Sequence, residues 1–118
     1  MSHKARLSIR IDLPGGHRLG PGKAKLLEAI SEQQTLRAAA EELGMSYPKA
    51  LKLINQLNSA FPLPLVLLQH GGATRGSAEL TAAGQNVLKT YREICERSNS
   101  TSSDLLASFT VINSERSD

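Results

Sequence analysis

The side chains best suited to chemistry in this sequence are cations and amides, and they are unevenly placed. No acidic residue occurs between Glu42 and Glu79, and that stretch carries Lys49, Lys52, His70 and Arg75. The acids gather elsewhere, mainly as Glu28, Glu32, Glu41, Glu42, Glu93 and Glu96. One side of the folded chain is therefore expected to hold positive potential, which attracts phosphate backbones. Lysine can donate to guanine or to phosphate, and Asn and Gln can pair with adenine edges. Ser46, Tyr47, Lys49, Lys52, Asn55 and Gln56 offer such groups within one short run, with Tyr47 and Lys49 nearest its start. Lys49 and Lys52 are also the kind of residue that merely solubilises a surface, and Tyr47 is one that can pack at a helix start.

Catalytic chemistry finds little support. Cys95, the single cysteine, falls on an apolar stripe and reads as a buried thiol rather than a nucleophile. His3, His17 and His70 lie far apart, without zinc-ligand spacing. No Ser-His-Asp arrangement can be inferred. Gly71, Gly72 and Gly76 follow neither the Walker nor the dinucleotide pattern. The expectation is a protein that is not an enzyme and uses no metal or cofactor.

Composition agrees with a small binding module. The 118 residues suit one domain, 40% are hydrophobic, and the formal net charge is +3. Only 3% are aromatic and Trp is absent, so the core must be built from Leu, Ile, Val and Ala. A lone cysteine allows no intrachain disulfide and suits a reducing cytoplasm. No apolar run approaches the ~20 residues of a membrane span. Met1–Arg10 lacks the continuous apolar stretch of a signal peptide. A cytoplasmic location follows as an expectation.

The elements that must position these side chains can be read from periodicity. Leu7, Ile9 and Ile11 alternate with polar residues, predicting a strand over Ala5–Asp12 that Pro14-Gly15-Gly16 breaks. Leu26, Leu27 and Ile30 predict a helix over Pro21–Gln33. Thr35 can cap a second helix whose apolar face is Leu36, Ala39, Ala40 and Leu43, and Gly44 ends it. Ser46 and Pro48 open a third, with Ala50, Leu53, Ile54, Leu57 and Phe61 on one face. Leu65–Gln69 and Ala78–Leu80 read as a hairpin around the loop His70–Ser77, where Arg75 is the candidate cation. Thr81 begins a long helix. Ser98–Ser103 is expected to interrupt it, with a short helix around Leu105–Phe109 and a frayed tail from Asn113.

Two short helices meeting at Leu43-Gly44-Met45-Ser46 form a helix-turn-helix signature. The expected fold is mainly α with a small β-hairpin: a winged helix-turn-helix with a long C-terminal dimerisation helix. In that arrangement the helix from Ser46 enters the major groove. Arg37, on the preceding helix, is placed for phosphate contact, and the loop bearing Arg75 reaches phosphate or the minor groove.

Several motifs carry a family resemblance. Gly20-Pro21-Gly22-Lys23, Leu26-Leu27-Glu28-Ala29-Ile30, Ala38-Ala39-Ala40 and Leu43-Gly44-Met45-Ser46-Tyr47 occur in order. They are followed by Leu57-Asn58, Pro64-Leu65-Val66, Gly71-Gly72 and Leu80-Thr81-Ala82-Ala83-Gly84. The set resembles the N-terminal domain of molybdate-dependent regulators of the ModE type, and is similar to the LysR-type winged helix-turn-helix. The resemblance covers roughly Leu7 to Arg97. It implies a dimeric domain binding a palindromic operator in double-stranded DNA, with Ser46, Tyr47 and Lys49 at the start of the recognition helix and Arg75 on the wing. The sequence departs from the family at Leu51, where Trp is frequent, and at Gln34-Thr35, where Gly-Ser is frequent. Full-length members carry molybdate-binding domains. The 21 residues after Arg97 are too few for one, so oxyanion sensing is expected to be absent here or supplied by another chain.

Gly84, Leu88, Tyr91, Cys95 and Ser98 form a heptad-like stripe on the long helix. This predicts a homodimer seam centred on Leu88, Tyr91 and Cys95, unless the stripe closes the domain's own core. The expected organisation is a DNA-binding domain over residues 1–97, including the dimerisation helix, and an extension over 98–118. The competing class is an adaptor whose winged helix contacts protein and no longer binds DNA.

Overall fold

The computed structural model describes residues 4–69 and 76–116, with side-chain surroundings through residue 109. The chain opens with a short hairpin. Strand β1 (Ile11–Asp12) pairs antiparallel with β2 (Arg18–Leu19) around a 3-10 turn, Pro14–Gly16. Helices α1 (Pro21–Gln33), α2 (Leu36–Glu42) and α3 (Tyr47–Ala60) follow. Strands β3 (Val66–Leu68) and β4 (Ala78–Leu80) pair antiparallel, with Leu67 opposite Glu79. The chain then runs into α4 (Ala82–Thr101) and α5 (Ser103–Arg116).

Local signals account for the helix boundaries. The Thr35 hydroxyl accepts from the Ala38 N–H at 3.1 Å and caps α2. Gly44 follows α2 in the left-handed conformation, φ 67°, which glycine adopts without penalty. The Thr81 hydroxyl caps α4 by accepting from the Gly84 N–H at 2.9 Å.

The core is aliphatic, as composition requires. Leu26, Leu27, Ile30, Leu36, Ile54, Leu57, Leu65 and Val66 are fully buried. Ala39, Ala40 and Ala50 lie where α2 packs on α3, and their small size lets the two backbones approach. The wing is tied to this core at two points. Asn58 on α3 accepts from the N–H groups of Leu65 and Val66 and donates to the Val66 carbonyl, at 2.8, 3.1 and 3.1 Å. On the other strand, Ala78 N–H donates to the carbonyl of Gln34, between α1 and α2, at 2.9 Å.

Three expectations are revised. The alternation from Leu7 to Asp12 survives in burial, with Leu7, Ile9 and Ile11 half-buried and Ser8, Arg10 and Asp12 exposed. Yet only Ile11–Asp12 is a strand. Residues before it have no neighbouring strand and lie instead on α4, where the Tyr91 hydroxyl donates to the Ile9 carbonyl (2.6 Å) and Leu7 N–H donates to Asn99 Oδ1 (2.8 Å). The serine-rich stretch does interrupt the helix, but only near its far end, at Ser102 between α4 and α5. Asn99, within α4, also donates to the Cys95 carbonyl one turn back, so its amide is held at both ends before the helix stops at Thr101. The element beyond it is longer than expected, a helix reaching Arg116.

Candidate nucleic-acid interface

The candidate reading surface begins at the turn between α2 and α3. Ser46 caps α3 by accepting from the Lys49 N–H at 3.2 Å, and Pro48 occupies the first turn, where its missing N–H costs nothing. From there α3 divides into two faces. Ala50, Ile54 and Leu57 are buried against the core. Ser46, Tyr47, Lys49, Lys52 and Asn55 are exposed, and Gln56 is half-exposed. The helix therefore presents hydroxyl, ammonium and amide groups outward from a rigid apolar base.

Arg37 and Tyr47 are brought together at one edge of this surface. The guanidinium of Arg37, on the first turn of α2, lies 5.5 Å from the centroid of the Tyr47 ring. Both side chains line a depression of about 280 Å³ with Leu36, Leu68, Gln69 and Ser77. The start of the recognition helix and the root of the wing thus share one wall. Tyr47 stacks under a cation while staying 38% exposed, so packing and exposure coexist in it. Arg75 lies outside the described residues.

The electrostatics follow the acid-poor stretch. Among the described residues the ion pairs join Arg10 with Asp12, Arg92 with Glu28, and Arg97 with Glu93. None of the three includes a residue of α3. Arg37, Lys49 and Lys52 enter none of them, so their charges face solvent. Among the described residues no cluster of His, Cys, Asp and Glu is arranged to hold a metal ion. No helix among them is long and apolar enough to cross a membrane.

The stripe set out as a dimer seam faces inward. Leu88 and Tyr91 are 5% and 6% exposed, packed within the chain's own core, and Cys95 is half-buried beside them. The physical reason is the N-terminal segment, which lies across this side of α4 and covers it. Burial pushes the Tyr91 hydroxyl up to about 12, with a further contribution from its hydrogen bond to Cys95. Among the described side chains of the C-terminal helices, Ile94 on α4 and Leu105 and Phe109 on α5 are left uncovered.

Sequence reasoning passed over the wing anchor Asn58 and the close packing at Gly84, where a Cβ would stand 2.2 Å from the Leu65 carbonyl oxygen. Asn58 stood in a family motif and Gly84 in the heptad-like stripe, but neither pattern points to these contacts, because each acts on backbone rather than on an apolar face.

These elements and this surface define a winged helix-turn-helix domain. The pattern of bacterial regulatory helix-turn-helix proteins of the lysR family matches residues 22–85, and the chain belongs to that family. It is 38% identical over 81 residues to the molybdenum-pterin-binding protein MopA of Rhodobacter capsulatus, covering 69% of this chain and 31% of that protein. It is 33% identical over 90 residues to the molybdenum transport protein ModE of Azotobacter vinelandii, covering 76% of this chain and 33% of that one. The chain thus spans about a third of the length of these curated relatives. Among solved structures, the CbnR DNA-binding domain in complex with DNA superposes with a TM-score of 0.59 at 26% identity, over 74% of this chain and 94% of that one. Full-length CbnR complexed with its target DNA superposes with a TM-score of 0.55, over 70% of this chain and 27% of that one.

Proposed function

We propose that this DNA-binding transcriptional regulator works in the cytoplasm as a homodimer on a palindromic operator. In this reading α3 lies in the major groove with its first turn deepest. Tyr47 and Lys49 meet bases or phosphate, Ser46 and Lys52 approach the flanking backbone, and Arg37 holds a phosphate at the edge shared with Tyr47. Arg75 is assigned to the wing contact from its place in the chain. One observation carries the reading: the outward face of α3 is cationic and amide-bearing, while its inward face is buried. A helix built that way can enter a groove about 12 Å wide without exposing apolar surface.

A palindromic site requires a two-fold partner. On the described part of the C-terminal helices, Leu105, Phe109 and Ile94 offer apolar side chains to a second copy. Leu88 and Tyr91 support that surface from within the chain, and Cys95 borders it.

Selection of bound genomic fragments should return an inverted repeat whose half-sites lie about one helical turn apart. Affinity for such a fragment should fall steeply with salt, because phosphate contacts release counterions. Lys49→Ala should weaken binding while the domain stays folded. A flat salt response, or no binding at low salt, would favour the protein-interaction adaptor.

A further inference from the structure

We infer that the turn of the N-terminal hairpin, Pro14–His17, is a second DNA-contacting element, flanking the recognition helix as the wing does and meeting the sugar-phosphate backbone through His17 and Arg18. This rests on the DNA-binding reading. The first observation is a juxtaposition. His17 lines a shallow groove together with Leu51, Lys52, Asn55, Gln56 and Ser59, all on α3. That groove shares no lining residue with the depression at the wing root. The hairpin and the wing therefore border separate stretches of the same helix. A helix seated in a major groove has a phosphate wall on each side, so an element beside it is carried toward one of them.

The second observation is charge. From Leu13 to Leu27 no acidic residue occurs, while His17, Arg18, Lys23 and Lys25 do. Of this run His17 lies against α3, Arg18 follows it in the hairpin opposite Asp12, which is paired with Arg10, and Lys25 lines a separate cleft with Arg6, Glu28 and Arg92. Arg18 is exposed.

The third is the shape and stiffness of the turn. Gly15 and Gly16 both have φ 80°, and open space surrounds the position of a Cβ on Gly16. A turn without side chains lets the backbone come close to a ligand. The hairpin is also well anchored. Leu13 N–H donates to the His17 carbonyl at 2.8 Å, Leu19 is buried, and Lys23 Nζ donates to the Arg18 carbonyl at 3.0 Å. Such a turn keeps its position without DNA, so little ordering cost accompanies contact. The hairpin lies outside residues 22–85, the stretch that the family pattern matches.

The test uses the full chain and a duplex recovered by genomic selection on the parent protein. Affinity is read by fluorescence anisotropy, and backbone contacts by hydroxyl-radical footprinting. His17→Ala should weaken binding several-fold and remove protection from one group of backbone positions, leaving the rest of the footprint. His17→Glu should bind more weakly still, because a carboxylate repels phosphate, and His17→Lys should restore both affinity and protection. Equal losses in all three variants would assign His17 to packing and overturn the inference. So would a parental footprint for His17→Glu on a duplex to which Lys49→Ala binds weakly, and that result would leave the DNA-binding reading standing. Failure of the parent itself to bind any duplex at low salt would overturn both.

Discussion

Gly84 on α4 presses its α-carbon against the backbone of Leu65, so that a β-carbon at this position would stand 2.2 Å from the Leu65 carbonyl oxygen. The same carbonyl accepts the Thr81 N–H at 2.9 Å, and the Thr81 hydroxyl reaches the Pro64 carbonyl at 2.7 Å. The start of α4 is thereby docked on the approach to β3. Gly84→Ala should destabilise the domain by about 1–3 kcal/mol, the usual cost of overpacking, despite alanine's better helix propensity. Thermal unfolding followed by circular dichroism checks this. A melting temperature at or above the parent's would show that the two elements separate freely.

Gln34 takes a conformation that side chains other than glycine rarely adopt. It ends α1 with φ 65°, and its carbonyl accepts the Ala78 N–H from β4. A left-handed residue bearing a Cβ costs roughly 1–2 kcal/mol, and glycine recovers most of that while gaining entropy in the unfolded chain. Gln34→Gly should raise stability by up to about 1 kcal/mol. Chemical denaturation should show a higher midpoint with an unchanged slope.

Where side chains obey a period or a cap, the sequence was legible. Thr35 and Ser46 open their helices, Gly44 closes one, and the buried faces of α2 and α3 hold the residues that spacing assigns to them. The exposed site residues on α3 were readable for the same reason, since two faces are the complement of one another. What escaped was backbone chemistry at a distance. Nothing in the period of α3 says that Asn58 will hold Leu65 and Val66, or that the N-terminal segment will cover Leu88 and Tyr91. A stripe at heptad spacing is the same pattern whether its partner is another copy or the chain's own first residues. Likewise the serines after Arg97 announce a break that does occur, at Ser102, but not that Asn99 before it will bond Leu7 from the other end of the chain.

Tyr91 should make stability depend on alkaline pH. In the folded chain burial raises its pKa from 10.0 to about 12, so folding favours the neutral phenol. The stabilising contribution is complete below pH 10 and is lost as pH climbs from 10 toward 12. Tyr91→Phe removes the group and its bond to Ile9, and should cost about 0.5–1.5 kcal/mol at neutral pH. Parent and variant should then converge in stability as pH rises through this window. Parallel curves, with a constant difference at every pH, would show that the hydroxyl does not titrate against folding.

The stacking of Arg37 on Tyr47 makes a prediction about coupling rather than about either residue alone. The two belong to different helices, and the contact aims a mobile guanidinium at the edge of the reading surface. Orientation of a cation before DNA arrives lowers the ordering cost of the contact. Tyr47→Phe keeps a ring beneath the guanidinium and should bind operator DNA within a few-fold of the parent. Tyr47→Ala releases Arg37, so it should lose affinity, and much of the penalty for Arg37→Ala should already be contained in it. A double-mutant cycle over Arg37→Ala and Tyr47→Ala should show coupling of about 0.5–1 kcal/mol, the range for a cation over a partly exposed ring. Strict additivity would mean that Arg37 finds its phosphate without help from the ring. A cycle run on the stability of the free domain separates the two effects, because a contact needed only for folding would show its coupling there and not in binding.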